Sequence, residues 1–165
     1  MSAMWKTYSN LLLGLARDVT ALGSTPFYAY VCLLLLVCAP AVGGELVVAF
    51  VLLMGISYAI KATWFKPRPD HVAGVEHGNL LEAVDASSFP SAHSARAAAM
   101  AYLLGGFFAA PVAWVLLLGA LAVGASRVVL RRHTPVDVLG GFAIGLLAAV
   151  LTRAVDPLGW VLGRF

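Results

Sequence analysis

Residues 111–153 read PVAWVLLLGALAVGASRVVLRRHTPVDVLGGFAIGLLAAVLTR. They form two apolar runs joined by the short basic turn Arg131-Arg132-His133-Thr134. The runs, from about Pro111 to Leu130 and from about Pro135 to Arg153, are each near the roughly 20 residues a helix needs to cross hydrocarbon. A four-residue connection allows only an antiparallel helical hairpin. The composition puts that hairpin in a bilayer: the 165 residues are 61% hydrophobic and only 12% charged, with a mean hydropathy of +0.90. A soluble domain of this size could not cover so much apolar side chain.

Moving outward, two more spans precede the hairpin, from about Thr25 to Gly43 and from about Glu45 to Phe65, with Gly43-Gly44 as the break between them. Another runs from about Ser91 to Ala109. Residues 1–22 carry Trp5, Tyr8 and Leu11 to Leu13, but Lys6, Arg17 and Asp18 interrupt them, as expected of an amphipathic helix in the interface. The fold class is therefore all-α, an integral membrane helical bundle of about five transmembrane helices plus that interfacial helix. It makes one domain over residues 1–165. Hydrophobic blocks recur along the whole chain, which excludes a cleaved signal peptide ahead of a soluble domain. Ala97, Ala101 and Gly105, and separately Gly141 and Gly145, fall four residues apart, a spacing that lets helices pack closely. Cys32 and Cys38 lie in one apolar segment and read as small hydrophobes rather than as a disulfide.

With five spans, the polar connection 66–90, the turn 131–134 and the amino terminus share one membrane side. A lid or headgroup contact could sit in the connection, around a short amphipathic piece at Leu80 to Val84. Lys61, Arg68, Ser91, His93, Arg127, His133 and Asp137 then meet at one rim. Ionisable groups near spans are costly and mark function. Individually each has a structural reading. Lys61 could snorkel to the headgroups, Ser91 could cap a helix, and Asp137 could close a capping box begun at Thr134 with Pro135 at the first helical position. Together, two histidines and three cations on one rim describe an anion pocket. His133 and Asp137 stand four apart, so the carboxylate could hold one imidazole nitrogen and leave the other free to attack. The net charge of +3 suits contact with anionic headgroups or a phosphorylated substrate, and no nucleic-acid partner is expected.

At these residues the sequence resembles the type 2 phosphatidate phosphatase superfamily, to which glucose-6-phosphatase and the vanadium haloperoxidases also belong. The family pattern Lys-x6-Arg-Pro is matched by Lys61, Arg68 and Pro69. Pro-Ser-Gly-His is matched by Pro90, Ser91, Ala92 and His93, with alanine at the glycine. Ser-Arg-x5-His-x3-Asp is matched in full by Ser126, Arg127, His133 and Asp137. The resemblance implies that His133 is the nucleophile and Asp137 its orienting partner. It implies that His93 protonates the leaving oxygen and then activates water, and that Lys61, Arg68, Ser91, Ala92 and Arg127 bind phosphate. No metal or other cofactor is implied, and phosphate or vanadate should occupy the site. The expected activity is that of a metal-independent lipid phosphatase. Candidate substrates are phosphatidate, phosphatidylglycerol phosphate, a polyprenyl phosphate or pyrophosphate, and decaprenylphosphoryl phosphoribose.

Lys6, Arg17, Lys66, Arg131 and Arg132 on the site side against Arg153 and Arg164 opposite place the site toward the cytoplasm by the positive-inside rule, in a multi-pass protein of the cell membrane. Three other readings stand against the phosphatase. A catalytically inactive lipid-binding or transport relative would be free to lose His93, His133 and Asp137, and all three are present. A vanadate-dependent oxidant would need peroxide and halide to reach a hydrophobic bundle. A metallohydrolase built on Asp70, His71, Glu76 and His77 would need a ligand spacing that these residues lack. The sequence leaves the headgroup and the oligomeric state open.

Overall fold

A computed structural model of the chain describes residues 3–69 and 86–155. Among the described residues there are six helices: α1 (Ala3–Ala21), α2 (Thr25–Cys38), α3 (Pro40–Thr63), α4 (Ala92–Phe107), α5 (Ala110–Val129) and α6 (Pro135–Val155). Asp70, His71, Glu76, His77, the expected amphipathic piece at Leu80 to Val84 and the tail from Asp156 lie outside the described residues.

The all-helical bundle is as expected, but the spans differ from the five drawn from hydropathy. Among the described residues, α3, α5 and α6 are the helices each long and apolar enough to cross alone. Helix α4 has 16 residues, about 24 Å at 1.5 Å per residue, short of the roughly 30 Å hydrocarbon core. Helices α1 and α2 qualify only as a pair, bent by 42° at their junction. Helix α1 lies along α5, where Ala16 is buried and Val19 packs on the Ala97–Ala120–Val123 cluster.

The break between α2 and α3 also falls elsewhere. Gly43-Gly44 is inside α3, and the chain turns at Ala39, whose φ of −149° and ψ of 72° are not helical. Pro40 causes this, because its ring excludes the preceding residue from the helical region while its own fixed φ suits a helix start. Gly43 has a packing role instead: a Cβ there would meet the Leu35 and Leu36 backbone.

Helix α4 is the centre of the bundle and packs on α3, α5 and α6. Its two rows of small residues serve different neighbours. Ala97 and Ala101 face Ala120 and Val123 of α5, and Gly105 meets Ala113. Along the other row, Gly141 and Gly145 of α6 lie directly on the Ser91 and Ala95 carbonyls. A methyl group at either glycine would collide with backbone, so this contact has no slack. The apolar core of Leu46, Ala49, Leu53, Ala95, Ala99, Leu103, Ala148 and Ala149 fills the space between α3, α4 and α6. Tyr28 of α2 joins it, with its hydroxyl donating to the Leu46 carbonyl at 2.9 Å.

Candidate active site

The start of α2, the end of α3, the start of α4 and the turn between α5 and α6 converge at one end of the bundle. They enclose a cavity of about 250 Å³ whose wall includes Lys61, Arg68, Ala92, His93, Arg96, Arg127 and His133. Four of these side chains are cationic, and none of the described wall residues is a carboxylate.

The turn that carries His133 is built by the end of α5. Arg131 takes a left-handed conformation, φ 55°. Its N–H bonds the Val128 carbonyl at 2.9 Å while the Arg132 N–H bonds the Arg127 carbonyl at 3.0 Å. That pair of bonds is the Schellman ending of a helix, with arginine at the position glycine usually takes. The His133 N–H also reaches the Arg127 carbonyl, at 3.2 Å, which brings Arg127 and His133 to the same corner. Helix α6 then opens with the expected capping box. The Thr134 N–H donates to Asp137 Oδ2 at 2.7 Å, and the Asp137 N–H to Thr134 Oγ1 at 3.4 Å.

The direct Asp137–His133 bond expected from the spacing is absent. Asp137 Oδ2 stands 4.0 Å from His133 Nδ1, and the partner of Nδ1 is the Ser88 carbonyl at 2.8 Å. A carbonyl only accepts, so Nδ1 carries the proton and Nε2 keeps its lone pair. Asp137, fully buried, acts through its neighbours instead. It accepts from the Ser88 hydroxyl at 2.5 Å and pairs with Lys66 Nζ at 2.6 Å. Lys66 Nζ also donates to Thr134 Oγ1 at 3.0 Å. Helix α6 starts at Pro135, so His133 lies ahead of it rather than on its face, and the capping box draws the carboxylate toward the backbone.

Burial pushes His133 down to about 4, reinforced by the Arg127 and Arg68 charges and opposed by the Ser88 carbonyl and Asp137. The ring is therefore neutral at physiological pH, as an attacking nitrogen must be.

Ser87 and Ser88 fasten the segment before α4 to both sides of the site. Lys61 Nζ donates to the Ser87 carbonyl at 2.9 Å, and the Ser88 N–H donates to the Lys66 carbonyl at 2.6 Å. Ser91 begins α4 as its N-cap, its Oγ accepting from the Ser94 N–H at 3.4 Å and from the Ser94 hydroxyl at 3.0 Å. Its buried hydroxyl is thus engaged in capping, while Ala92 and His93 reach the cavity wall. Ala92 occupies the first turn of α4 without strain, where a helix amino terminus directs N–H groups and partial positive charge toward an anion.

These residues lie in the segment that matches a family model. The model described as PAP2 superfamily covers residues 30–158. The chain belongs to the PAP2 superfamily. Its match to undecaprenyl-diphosphatase BcrC of Bacillus subtilis (strain 168) is 36% identical over 96 residues, 58% of this chain and 48% of that protein. The chain thus aligns with about half the length of that relative. The Aquifex aeolicus LpxE crystal structure superimposes with a TM-score of 0.75 at 23% identity, covering 87% of this chain and 86% of that one. The PAP2-type phosphatidylglycerolphosphate phosphatase of Bacillus subtilis superimposes at 0.57 with 23% identity, covering 94% and 88%. As a PAP2 protein with apolar helices of membrane length, the chain is a multi-pass membrane protein.

Sequence reasoning missed four site residues: Lys66, Ser87, Ser88 and Arg96. Lys66 read as a topology-setting charge, and the two serines as loop. Only the adjacency of Ser87-Ser88 to Pro90-Ser91-Ala92-His93 could have flagged them. Arg96 had a usable signal, since it lies one turn after His93 on a helix otherwise rich in alanine.

Proposed function

We propose that this PAP2 protein is a membrane lipid phosphatase that removes phosphate from a lipid or polyprenyl phosphate ester or diphosphate through a phosphohistidine at His133. One observation carries the reading. A neutral imidazole, with Nδ1 fixed by the Ser88 carbonyl, borders a cavity whose described wall residues include four cations and no carboxylate. Such a cavity suits an anion, and the imidazole supplies a nucleophile. Support also comes from the 36% identical relative, whose name is a polyprenyl diphosphatase.

In this mechanism Nε2 of His133 attacks phosphorus in line with the leaving oxygen. Lys61, Arg68, Arg127 and the amino terminus of α4 at Ala92 hold the equatorial oxygens and meet the charge that develops on them. His93 faces the leaving oxygen in the first step and the incoming water in the second. Asp137, through Ser88 and Lys66, holds the backbone that orients His133. Ser91 contributes as the cap that sets the α4 amino terminus. The fixed cations supply the charge that a metal ion supplies elsewhere, so turnover needs no metal. The lipid enters from the bilayer with its phosphate at the interface, on the side where Lys66, Arg131 and Arg132 gather; by the positive-inside rule that side is the cytoplasm.

The test is phosphate release by purified protein across phosphatidate, phosphatidylglycerol phosphate and polyprenyl mono- and diphosphates, with and without chelator. Turnover that survives chelation and is inhibited by orthovanadate, a five-coordinate phosphorus mimic, is expected. No release from any of them would favour a lipid-binding protein of the same fold.

A further inference from the structure

Arg96 has no role in the scheme above, yet it is only 3% exposed and borders the cavity. Its Nε donates to the Gly23 carbonyl at the α1–α2 junction at 2.8 Å. One terminal nitrogen lies 3.7 Å from Met54 Sδ and the other 3.4 Å from His93 Nδ1. All these partners are neutral. Among the described residues the carboxylates are those of Asp18, Glu45 and Asp137. Asp137 pairs with Lys66 and Glu45 with Arg153, and none of the ion pairs among the described residues involves Arg96. A buried guanidinium without an anion is costly to maintain.

We infer that Arg96 is a specificity-determining residue that fits this site to a lipid diphosphate, by holding the phosphate that departs with the lipid. The inference rests on the phosphatase reading and narrows its substrate class. Two further observations support it. The cavity of about 250 Å³ has the volume of on the order of eight waters at about 30 Å³ each, enough to admit two linked phosphoryl groups. The second observation is the contact with His93. A guanidinium only donates, so while Arg96 bonds Nδ1 the His93 ring is neutral with its proton on Nε2. An alcohol oxygen leaves a phosphate ester readily only if it receives a whole proton. A phosphate oxygen needs none, because a phosphate monoester is already a stable anion, with a second pKa of about 6.

The chemistry balances without an added reagent. The lone pair of His133 Nε2 forms a bond to the terminal phosphorus as the bridging P–O bond breaks. The bond's electron pair stays on the bridging oxygen, which departs as the lipid monophosphate, with Arg96 and the His93 Nε2–H facing its charge. Water then attacks the phosphohistidine and the N–P electron pair returns to Nε2. One of its protons stays on the released phosphate and the other passes to solvent.

The experiment compares kcat/KM for farnesyl diphosphate and farnesyl monophosphate, which share one chain, in the wild type, R96Q and R96K. R96Q is expected to lower the diphosphate-to-monophosphate ratio by about 10- to 100-fold, the effect of losing one charged hydrogen bond to the leaving group. R96K, which keeps the stem and the charge, should recover part of that ratio. Equal losses on both substrates in both variants, with an active wild type, would assign Arg96 to packing alone and overturn the inference. A wild type that cleaves neither substrate would remove the phosphatase reading and this inference with it.

Discussion

At the end of the bundle away from the cavity, Arg153 donates to the Leu103 carbonyl at 2.8 Å, lies 3.7 Å from Glu45 and stacks 5.0 Å over the Tyr102 ring. At the cavity end, Arg96 is more deeply buried and has neutral partners alone. Arg153 illustrates a charge placed to join helices: its carboxylate is at hand and nothing is left for a ligand to supply. The cavity end gathers Lys61, Arg68, Arg96 and Arg127 around a space with no carboxylate among the described residues of its wall. Asp137, the buried carboxylate there among the described residues, stands behind the wall, held by Lys66, Ser88 and Thr134. Among the described residues, that arrangement suits an anion better than a structural cluster does.

Replacing His133 by alanine should cause the largest effect, a loss of at least about 10⁴-fold in kcat, measured on protein whose thermal unfolding in detergent matches the wild type. A variant retaining substantial turnover would dissolve the contrast between the two ends. Lys66→Met comes next. It leaves Asp137 buried with its hydrogen bonds from Ser88 and Thr134 but without its counter-charge, which should cost about 1.5–3 kcal/mol and loosen the Ser88 contact that holds His133. A lower unfolding midpoint together with a lower kcat is expected, and an unchanged midpoint would mean that the Lys66–Asp137 pair carries no structure.

The pH dependence sharpens the comparison further. With His133 lowered to about 4, the attacking nitrogen is unprotonated above that value and is lost as pH falls through it. The acid limb of kcat/KM, which reports the free enzyme, should therefore bend near pH 4 wherever His133 governs it. A limb near the ordinary histidine value of about 6.5, shifted by changes at His133, would show that the cavity's cations and burial do not act on the ring. The smallest effect is expected at the other end. Arg153→Met should lower the unfolding midpoint while leaving kcat/KM within about threefold, since surface-accessible ion pairs contribute about 1 kcal/mol or less.

The legible part of this fold was what depends on composition and local spacing. Apolar runs announced helices in a bilayer, and the capping box at Thr134 and Asp137 could be placed from four letters. The small-residue rows of α4 and α6 pointed to close packing. What stayed hidden depends on tertiary contact. Gly43-Gly44 looked like a break because glycine punctuates loops, yet Gly43 is needed where the α2 backbone crosses, and Pro40 makes the turn. Helix α4 was drawn as a full span because its flanks are apolar, although its helix ends within 16 residues. In the site, the three motifs located the cavity, while the groups that orient its parts, Ser88, Lys66 and Arg96, meet their partners across long sequence separations. Asp137 and His133 come within 4.0 Å of each other although His133 precedes the helix. The intervening Ser88 carbonyl could not be inferred, since it arrives from 45 residues away.

The measurement that bears most directly on the account is rapid-quench trapping of the enzyme with substrate labelled in its terminal phosphate, followed by peptide mapping. An acid-labile, base-stable phosphoryl group is expected on the peptide carrying His133, formed at least as fast as turnover and absent in His133→Ala. Turnover without such a label, or a label on another residue, would contradict it.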